Sequence, residues 1–526
     1  MPSLLTKLID DSAARTPEQE AVRFNGAALT YAELSRQSDQ LATLLIDQGV
    51  QKGDRVALLL GKGLQAAVSI YGVMKAGAAY VPLDVTAPPS RLAFILRDCG
   101  IRHLVTAPAH VGALKEILAE GTPVEVCVGI EDTDELAVRC LPWRAVEEAL
   151  NGAPDVHLAG SDLAYILYTS GSTGTPKGVM HTHASGLSWA QGTASAYGLA
   201  AEDRLSNHAP LHFDLSTFDY FASALVGATT VIIPEIYTKL PASLSALIPS
   251  ERLSVVYAVP FAFTQLLLHG ALDKRDLSTL RWVLFAGEPF PARYLRALMQ
   301  RVPHARFANI YGPTEVNGVT HYIVPDTFAH SDEDTVPIGD VFPFASAMVV
   351  DEDDQHVEPG EPGELWIRSD TAMQGYWGRP DLNATAFVEP SGERFYRTGD
   401  LVRQRDDRVL LFLGRKDRQV KTRGHRVELA EVEAVLADHE AISEVAAFTV
   451  PDTEGSHRIL AAISAQPGIE LTVSTLREYA FTRLPAYAVP ERIAVLDVFP
   501  RTPTGKVDRI TTAALAARQL ADTESE

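Results

Sequence analysis

Short apolar runs that alternate with helix-length stretches are the feature that most restricts the fold of this 526-residue chain. Residues 55–60 form one such run, which is apolar after its first position and is followed by Gly61. This pattern is typical of a strand that is buried on both faces of a parallel sheet. Runs of the same character recur at residues 103–106, 229–233, 253–258 and 282–285. The alternation predicts an α/β protein with two doubly wound subdomains.

Helical periodicity is clearest near the N-terminus. Residues 4–14 and 31–48 carry apolar side chains at helical spacing, and Thr30 with Glu33 three positions later has the pattern of a capping box. Residues 64–79 are the most apolar stretch, but they are too short and too interrupted to span a bilayer. We interpret them as a buried helix. No signal peptide is apparent at the N-terminus, so we expect a cytoplasmic protein without a membrane contact.

The pattern changes after about residue 337. Short strand-like runs at residues 347–350, 363–367 and 409–412 are separated by acidic, Pro- and Gly-bearing turns, which predicts a small antiparallel β subdomain. Residues 414–424 are rich in cations and lack a long apolar run, so we place a domain boundary there. We therefore expect an N-terminal core over residues 1–414 and a small α+β domain over residues 415–526.

Charge and cysteine content exclude several classes of protein. The net charge of −21 argues against a nucleic-acid partner, because duplex binding requires a basic face. Cys99, Cys127 and Cys140 form no CxxC pair and have no accompanying histidine cluster, which argues against a zinc site or a disulfide framework. Three reduced thiols in a cytoplasmic protein are the simpler interpretation.

A loop over residues 168–178 has the composition of an anion site. It contains three glycines, several hydroxyl side chains and Lys177, and it follows a strand-like run at residues 163–167. Glycines let backbone amides turn toward an anion, and a lysine adds positive charge. The spacing differs from the Walker pattern, and a loop of this composition is also compatible with a plain flexible turn.

Eight further motifs occur in order along the chain, at residues 29–34, 74–84, 309–315, 363–365, 396–401, 414–433, 484–487 and 504–509. Together with the loop at residues 168–178, they resemble the signature of the adenylate-forming superfamily. That superfamily contains acyl-CoA synthetases, luciferases and the adenylation domains of nonribosomal peptide synthetases. The resemblance extends over residues 5–515 and implies an ATP-dependent ligase with an α/β core and a mobile C-terminal lid domain.

The resemblance implies nucleotide binding by residues of these motifs, namely Thr169, Ser170, Gly171, Thr173, Lys177, Gly287, Glu288, Asn309, Tyr311, Gly312, Thr314, Asp400 and Arg415. In this assignment Tyr311 stacks on adenine and Asp400 accepts the ribose hydroxyls. Glu315 holds Mg²⁺ beside the phosphates, which suits a hard cation. Considered singly, Asp400 fits a turn-forming residue and Glu315 a surface acid better than they fit ligand-binding roles.

The resemblance also implies two catalytic residues, Lys506 and His212. Lys506 would contact both the substrate carboxylate and the α-phosphate, where it stabilises charge as pyrophosphate leaves. Asp417 falls at the hinge about which the family's C-terminal domain changes its orientation. A solvated surface lysine and a surface aspartate are the alternatives that the two positions leave open when they are considered alone.

The activated acid is expected to be an amino acid. Asp214 matches the position at which amino-acid-activating relatives place a carboxylate against the substrate ammonium, and a buried ammonium requires such a partner. A local cap role is the alternative. The other expected pocket positions are uncharged: Leu215, Phe218, Ala258, Leu284, Ala286, Ile310, Gly318 and Val319. They predict an apolar substrate, and the small residues Ala258 and Gly318 suggest room for an elongated side chain.

The sequence around Asp214 looks most like stand-alone amino-acid ligases, among them prolyl and β-amino-acid enzymes. We therefore expect a hydrophobic β-amino acid, with proline or another small apolar α-amino acid as the alternative. The chain ends soon after Lys506, so the expected acceptor is the phosphopantetheine thiol of a free-standing carrier protein in natural-product (antibiotic) biosynthesis. An acyl- or aryl-CoA ligase and a non-catalytic relative are the competing hypotheses.

Overall fold

The structure is a computed structural model, and it describes residues 2–171, 174–466, 472–502 and 507–522. The expected site residues Thr173 and Lys506 lie outside these ranges. The chain divides into two compact units. Unit 1 comprises Met1–Val85, Ala93–Tyr168 and Gly178–Lys416, and unit 2 comprises Thr86–Leu92, Thr169–Lys177 and Asp417–Glu526.

The strands are, in chain order, β1 (Glu20–Phe24), β2 (Ala27–Thr30), β3 (Arg55–Leu59), β4 (Ala79–Pro82), β5 (His103–Thr106), β6 (Val126–Val128), β7 (Arg139–Leu141), β8 (Leu163–Thr169), β9 (Lys177–Thr182), β10 (Arg204–Asn207), β11 (Thr229–Ile232), β12 (Val255–Ala258), β13 (Trp282–Ala286), β14 (Arg306–Tyr311), β15 (Thr320–Val324), β16 (Asp340–Val341), β17 (Ala345–Val350), β18 (Pro362–Ser369), β19 (Gly375–Tyr376), β20 (Phe387–Val388), β21 (Phe395–Gln404), β22 (Leu410–Arg415), β23 (Gln419–Thr422), β24 (His425–Glu428), β25 (Ile442–Pro451), β26 (His457–Ala465) and β27 (Arg492–Val495).

The α-helices are α1 (Thr6–Arg15), α2 (Tyr31–Asp47), α3 (Leu64–Lys75), α4 (Pro89–Asp98), α5 (Val111–Ala119), α6 (Trp143–Glu147), α7 (His183–Tyr197), α8 (Leu215–Thr217), α9 (Ser223–Val226), α10 (Glu235–Thr238), α11 (Pro241–Ser250), α12 (Pro260–His269), α13 (Ala292–Arg301), α14 (Pro380–Ala386), α15 (Leu429–Ala437), α16 (Val473–Phe481) and α17 (Arg509–Asp522).

Two large sheets, mostly parallel, form the centre of unit 1. The first has the strand order β16-β15-β14-β13-β12-β10-β11-β1-β2, and the second has the order β19-β9-β8-β4-β3-β5-β6-β7. Buried strands without alternation, such as β12 and β13, are covered on both faces as their continuous apolar sequences predict. A small antiparallel sheet, β17-β18-β21-β20 with β22 beside β21, completes the unit. The predicted α/β class with a β subdomain is confirmed.

Local signals near the N-terminus also form as predicted. The Thr30 hydroxyl accepts a hydrogen bond from the Glu33 backbone amide at 3.2 Å, and the Glu33 carboxylate accepts one from the Thr30 amide at 2.9 Å. Helix α3 is buried, and its Lys75 ammonium lies 2.6 Å from the Asp39 carboxylate and 2.7 Å from that of Asp10. A buried lysine is tolerated there because two carboxylates compensate its charge.

Unit 2 contains the predicted small α+β domain. Strands β25 and β26 are antiparallel, β27 runs parallel to β26, and helices α15, α16 and α17 complete the unit. The charged stretch at residues 414–424, in which we predicted only a boundary, contributes strand β23 of the hairpin with β24. Unit 2 also includes Thr86–Leu92 and Thr169–Lys177, which the sequence did not indicate.

None of the described helices combines the length and the apolar character that crossing a bilayer requires.

Three buried histidines make the fold sensitive to acid. Burial lowers the pKa of His181 and His183 to about 4 and that of His208 to about 3, from an ordinary value of 6.5. Each histidine is therefore neutral in the folded state at a pH at which the unfolded chain already binds a proton. The contribution of these three histidines to the free energy of unfolding is constant above pH 6.5 and falls as the pH drops from 6.5 toward 4.

We predict that His183→Phe flattens this acid dependence. Neither ring nitrogen of His183 has a hydrogen-bond partner among the described residues. The substitution therefore removes one proton-linked loss of about 1.4 kcal/mol per pH unit between pH 6.5 and 4. Thermal unfolding midpoints measured across that range test the prediction, with exposed His157→Phe as the control. Equal slopes for the His183→Phe variant and the unmodified chain would contradict it.

Candidate active site

Adjacent strand ends of the first sheet carry most of the expected site residues in unit 1. Strands β10, β12, β13 and β14 are consecutive neighbours and parallel, so their carboxyl ends lie at one edge of the sheet. The segments that follow them contain Asp214, Gly287 and Glu315, respectively after β10, β13 and β14. Ligands of doubly wound sheets bind at this edge.

Asp400 is the centre of a buried polar group. It lies opposite Arg415 in the antiparallel pair of β21 and β22, and its Oδ1 is 2.6 Å from the Arg415 Nη1. The Tyr311 hydroxyl donates to the other carboxylate oxygen of Asp400. Burial, with the adjacent Asp400 carboxylate, raises the pKa of Tyr311 well above its ordinary value, so the phenol stays a donor. A carboxylate offers about four acceptor positions, so it retains capacity for two ribose hydroxyls.

Glu315 is the second buried carboxylate of the region. Its side chain is 0% exposed, and the Tyr376 hydroxyl donates to its Oε1 at 2.8 Å. The carbonyl of the preceding Thr314 lies 2.9 Å from the Nε2 of His181, which is neutral at pH 7. A single carboxylate fits an Mg²⁺ ion that phosphate oxygens and water ligate at the remaining positions. Bound there, the ion would neutralise charge on a leaving pyrophosphate.

The turn between β14 and β15 has no space for side chains at its two glycines. A Cβ on Gly312 would lie 1.6 Å from the Asn317 carbonyl oxygen, and one on Gly318 would lie 2.4 Å from the Trp189 Cη2. The Val319 amide donates to the Tyr311 carbonyl at 2.8 Å and closes the turn. This close backbone approach fixes Glu315 relative to the end of β14.

The residues expected around the adenine have structural bonds of their own. The Glu288 Oε1 accepts from the Phe261 amide at 2.9 Å in the first turn of α12, and the Asn309 amide nitrogen donates to the Pro337 carbonyl at 2.8 Å. Gly287 adopts a φ of +97°, which favours glycine directly after β13. These three residues lie at the ends of β13 and β14, as the motifs predict.

Asp214 lies immediately before α8, half-buried, with its carbonyl accepting from the Thr217 hydroxyl at 2.6 Å. Burial raises the pKa of Tyr165 and Tyr257, and the Asp214 carboxylate adds to the rise in both. The carboxylate is therefore near two buried phenols. His212, two residues earlier, has its Nε2 3.9 Å from the Asp84 carboxylate.

Most of the expected substrate-pocket side chains share one buried cluster. Its members include Leu215, Phe218, Leu284, Ala286 and Ile310. Two residues that the sequence did not single out, Trp189 and Tyr257, belong to the same cluster. The structure does not place Val319 there, because its side chain lies with Tyr311 in a different cluster.

Ala258 belongs to a different buried cluster from most of the other expected pocket residues. In the register of β12 with β13, Tyr257 is opposite Leu284 and Ala258 is opposite Phe285. Successive side chains of a strand point to opposite faces, so Ala258 lies with Phe285 in the cluster on the other side of the sheet. Tyr257 lies in the same cluster as Phe218, with 5.2 Å between the two ring centroids. The role of Ala258 toward the substrate stays a prediction. Sequence alone lacked the register that distinguishes the two neighbours.

The glycine-rich loop belongs to unit 2. The Ser170 hydroxyl donates to the Arg426 carbonyl at 3.1 Å, and the Thr169 hydroxyl is buried without a hydrogen-bond partner among the described residues. A Cβ on Gly171 would lie 2.0 Å from the Thr175 carbonyl oxygen, so the loop requires glycine at this position. Lys177 is the first residue of β9. The roles of these residues toward phosphate stay predictions, as does that of Thr173.

The expected hinge residue, Asp417, is the first residue of the last segment of unit 2. Its Oδ1 accepts from the Gln419 amide at 3.1 Å, which makes a local turn before β23. Its function as a hinge stays a prediction.

The chain matches two protein-family models, AMP-binding enzyme over residues 9–377 and AMP-binding enzyme C-terminal domain over residues 431–506. It is 34% identical to the L-proline--[L-prolyl-carrier protein] ligase of Pseudomonas fluorescens, covering 97% of this chain and 99% of the relative. It is 37% identical to the phosphinothricin tripeptide synthetase PhsB of Streptomyces viridochromogenes, of whose length it spans 41%. The chain belongs to the AMP-binding enzyme family.

A solved structure agrees with this assignment. The adenylation domain AlmE of Vibrio cholerae, determined with glycyl-adenosine-5'-phosphate, has a TM-score of 0.85 and is 25% identical over 99% of this chain and 98% of that chain. The predicted superfamily is therefore confirmed, and the chain is an adenylate-forming enzyme related to nonribosomal peptide synthetase adenylation domains. Such AMP-binding enzymes use ATP, typically with Mg²⁺.

For this AMP-binding enzyme we predict that Asp400→Asn raises the KM for ATP. The change weakens charge-assisted bonds, which contribute about 1.5–3 kcal/mol each, so a rise of roughly tenfold to a hundredfold is expected. Substrate-dependent exchange of pyrophosphate into ATP measures it. Asp354→Asn is the control, because exposed Asp354 pairs with Arg397 at 3.0 Å in the same subdomain. An unchanged KM for ATP in Asp400→Asn would contradict the assignment.

Tyr257→Leu and Ala258→Val separate the two neighbouring positions of β12. We expect Tyr257→Leu to change the KM for the acid substrate severalfold without changing the KM for ATP. Ala258→Val adds bulk on the opposite face, so it should lower the unfolding temperature and leave the relative preference among acid substrates unchanged. If Ala258→Val shifts the preference among acid substrates and Tyr257→Leu does not change the KM for the acid, Ala258 and not Tyr257 lines the substrate pocket.

Proposed function

We propose that this enzyme activates a compact apolar amino acid as its aminoacyl adenylate and transfers the aminoacyl group to the phosphopantetheine thiol of a separate carrier protein. The observation that carries the proposal is the position of Asp214. Its carboxylate lies near Tyr165 and Tyr257, and Tyr257 belongs to the buried cluster that contains Leu215 and Phe218. A negative charge is thus next to an apolar pocket.

An ammonium group is the substrate feature that suits this arrangement. A carboxylate in partly buried surroundings stabilises a cation, and an ammonium that leaves water needs such a partner. The rest of the cluster is apolar or aromatic, so a charged substrate side chain would lose its hydration without compensation. This combination supports an amino acid with an apolar side chain and disfavours a plain fatty or aryl acid.

The proposed reaction has two steps. A carboxylate oxygen of the amino acid attacks the α-phosphorus of ATP, a new O–P bond forms, and the bond to pyrophosphate breaks. Asp400 with Tyr311 and Arg415 would orient the ribose, Glu315 would hold Mg²⁺, and Lys506 stays the predicted source of positive charge at the reacting oxygens. In the second step the carrier thiol, having lost its proton, attacks the carbonyl carbon and AMP leaves.

The surroundings of Gly318 favour a compact amino acid. An elongated side chain was expected to occupy the space beside this glycine, but the Trp189 indole edge lies there. Compact substrates such as L-proline or a short β-amino acid therefore fit better than long ones. The relative from Pseudomonas fluorescens, named as a proline ligase, supports the first of these, and the β-amino acid stays the second.

The acceptor is proposed from the same relative, whose name includes a carrier protein and whose length matches this chain. Coenzyme A carries the same phosphopantetheine thiol, so a CoA ligase is the alternative that the experiment must separate. The two acceptors differ in whether thioester formation requires a folded carrier protein.

A pyrophosphate-exchange screen over apolar α- and β-amino acids tests the first step. We expect exchange with one or a few compact amino acids and little exchange with the desamino analogues of these. The proposal would be overturned if no amino acid supported pyrophosphate exchange while plain carboxylic acids did. Thioester formation is then measured by mass spectrometry with a loaded carrier protein and with free CoA, and rapid CoA thioester formation without a carrier would favour the ligase alternative.

Asp214→Asn tests the carboxylate. We predict that kcat/KM for the amino acid falls roughly tenfold to a hundredfold, since a charge-assisted contact is lost, while the KM for ATP changes little. The desamino analogue serves as the matched control because it lacks the ammonium. The substitution should leave the reaction rate with the desamino analogue unchanged or raise it. An equal loss of kcat/KM for the amino acid and its analogue would show that Asp214 has a purely structural role.

A further inference from the structure

Trp189 lies against the pocket at Gly318. It belongs to α7, its side chain is fully buried, and it shares a cluster with Phe218 and Ile310. A Cβ on Gly318 would lie 2.4 Å from the Trp189 Cη2, 2.6 Å from its Cζ3 and 2.8 Å from the Ile310 Cγ2. The indole edge therefore fills the space that Gly318 leaves.

The indole is held by shape and not by a polar bond. Its Nε1 is buried and has no hydrogen-bond partner among the described residues. Its ring centroid lies 6.4 Å from that of Phe218 and 6.1 Å from that of Phe342, the latter in an edge-to-face arrangement at 87°. A buried indole N–H usually has a hydrogen-bond partner, and its absence here costs stability. The role of Trp189 is therefore the volume that its ring fills.

Aromatic side chains behind Trp189 fix its position. Phe342 stacks on Phe344 with 5.1 Å between centroids and 9° between planes. One helical turn after Trp189, a Cβ on Gly192 would lie 2.1 Å from the Phe344 Cε1, so α7 approaches this pair closely. The indole thus packs against both Gly318 and Phe342 in a buried cluster.

We propose that Trp189 is a specificity-determining residue that closes the amino-acid pocket and limits the length of the substrate side chain. The inference rests on the proposed function, because it takes Leu215, Phe218 and Ile310 as pocket residues. The space beside Gly318 is then occupied by the indole of Trp189 and is closed to a long substrate side chain. An enzyme with this pair accepts compact amino acids and excludes longer ones by steric overlap.

Trp189→Leu tests the length limit in a homologous series of straight-chain amino acids of the active α or β class. We expect the best substrate to become longer by at least one methylene. Each added methylene that reaches the new space should gain roughly fourfold in kcat/KM over the unmodified enzyme. Trp189→Phe should give an intermediate shift, and it also serves if Trp189→Leu is too unstable to purify.

The matched control is Trp366→Leu. Trp366 is 2% exposed against 0% for Trp189, its Nε1 likewise lacks a hydrogen-bond partner among the described residues, and it lies in β18 of the small sheet. The Trp366→Leu substitution should lower the unfolding temperature and leave the preference for substrate chain length unchanged. A profile that shifts to the same extent in this control would show a general loosening and would overturn the role of Trp189.

Gly318→Ala provides the reciprocal test, since its methyl group collides with the indole. We expect it to reduce kcat/KM for the native amino acid at least tenfold, and we expect the Trp189→Leu/Gly318→Ala double variant to recover most of the loss. Independent effects that simply multiply would contradict contact between the two residues.

The two proposals fail differently. If the unmodified enzyme shows exchange with no amino acid, the proposed function fails. If exchange is present but the chain-length profile of Trp189→Leu and of Trp189→Phe equals that of the unmodified enzyme, the proposed function stands and the inference about Trp189 is overturned.

Discussion

The turn between β14 and β15 is the constraint on which the site of unit 1 depends. Gly312 lies against the Asn317 carbonyl, and Gly318 lies against Trp189, so neither position can carry a side chain without displacing its neighbour. Between the two glycines is Glu315, and directly before them is Tyr311. One tight turn therefore sets the positions of the buried Glu315 carboxylate, of the Tyr311 phenol and of the glycine that packs against Trp189.

Tyrosine hydroxyls hold both buried carboxylates of the nucleotide region. Tyr311 donates to Asp400, and Tyr376 donates to Glu315. A tyrosine hydroxyl that donates to a carboxylate uses one of its lone pairs and leaves the others as acceptor positions. Arg415 adds a positive charge beside Asp400. Ribose binding at Asp400 and Mg²⁺ binding at Glu315 stay predictions that these two hydrogen-bonded carboxylates support.

Sequence predicted the elements whose signals are local. Strand His103–Thr106 has the predicted limits, and α2 starts after Thr30 because the capping box is contained in four consecutive residues. The hairpin of β23 and β24 was missed, since its charged side chains gave no apolar alternation to recognise. Likewise the grouping of Thr169–Lys177 with unit 2 depends on contacts such as that of Ser170 with Arg426, distant in sequence.

In the candidate site, too, residues with a local sequence signal were predicted and residues placed by distant contacts were not. Residues inside motifs, such as Asp400 and Tyr311, were identified because the motif fixes their spacing. The grouping of Ala258 could not be predicted, because adjacent residues of a strand face opposite sides and only the register with β13 shows that Tyr257 lies opposite Leu284.

Trp189 gave no signal at all, because a tryptophan in a helix far from the motifs is indistinguishable from ordinary core. Its importance appears only where its ring meets Gly318. Charge at Asp214 and volume at Trp189 are physically separate criteria, one electrostatic and one steric. If both proposals hold, substitutions at Trp189 and Gly318 change the preferred substrate length without altering the recognition of the ammonium group at Asp214.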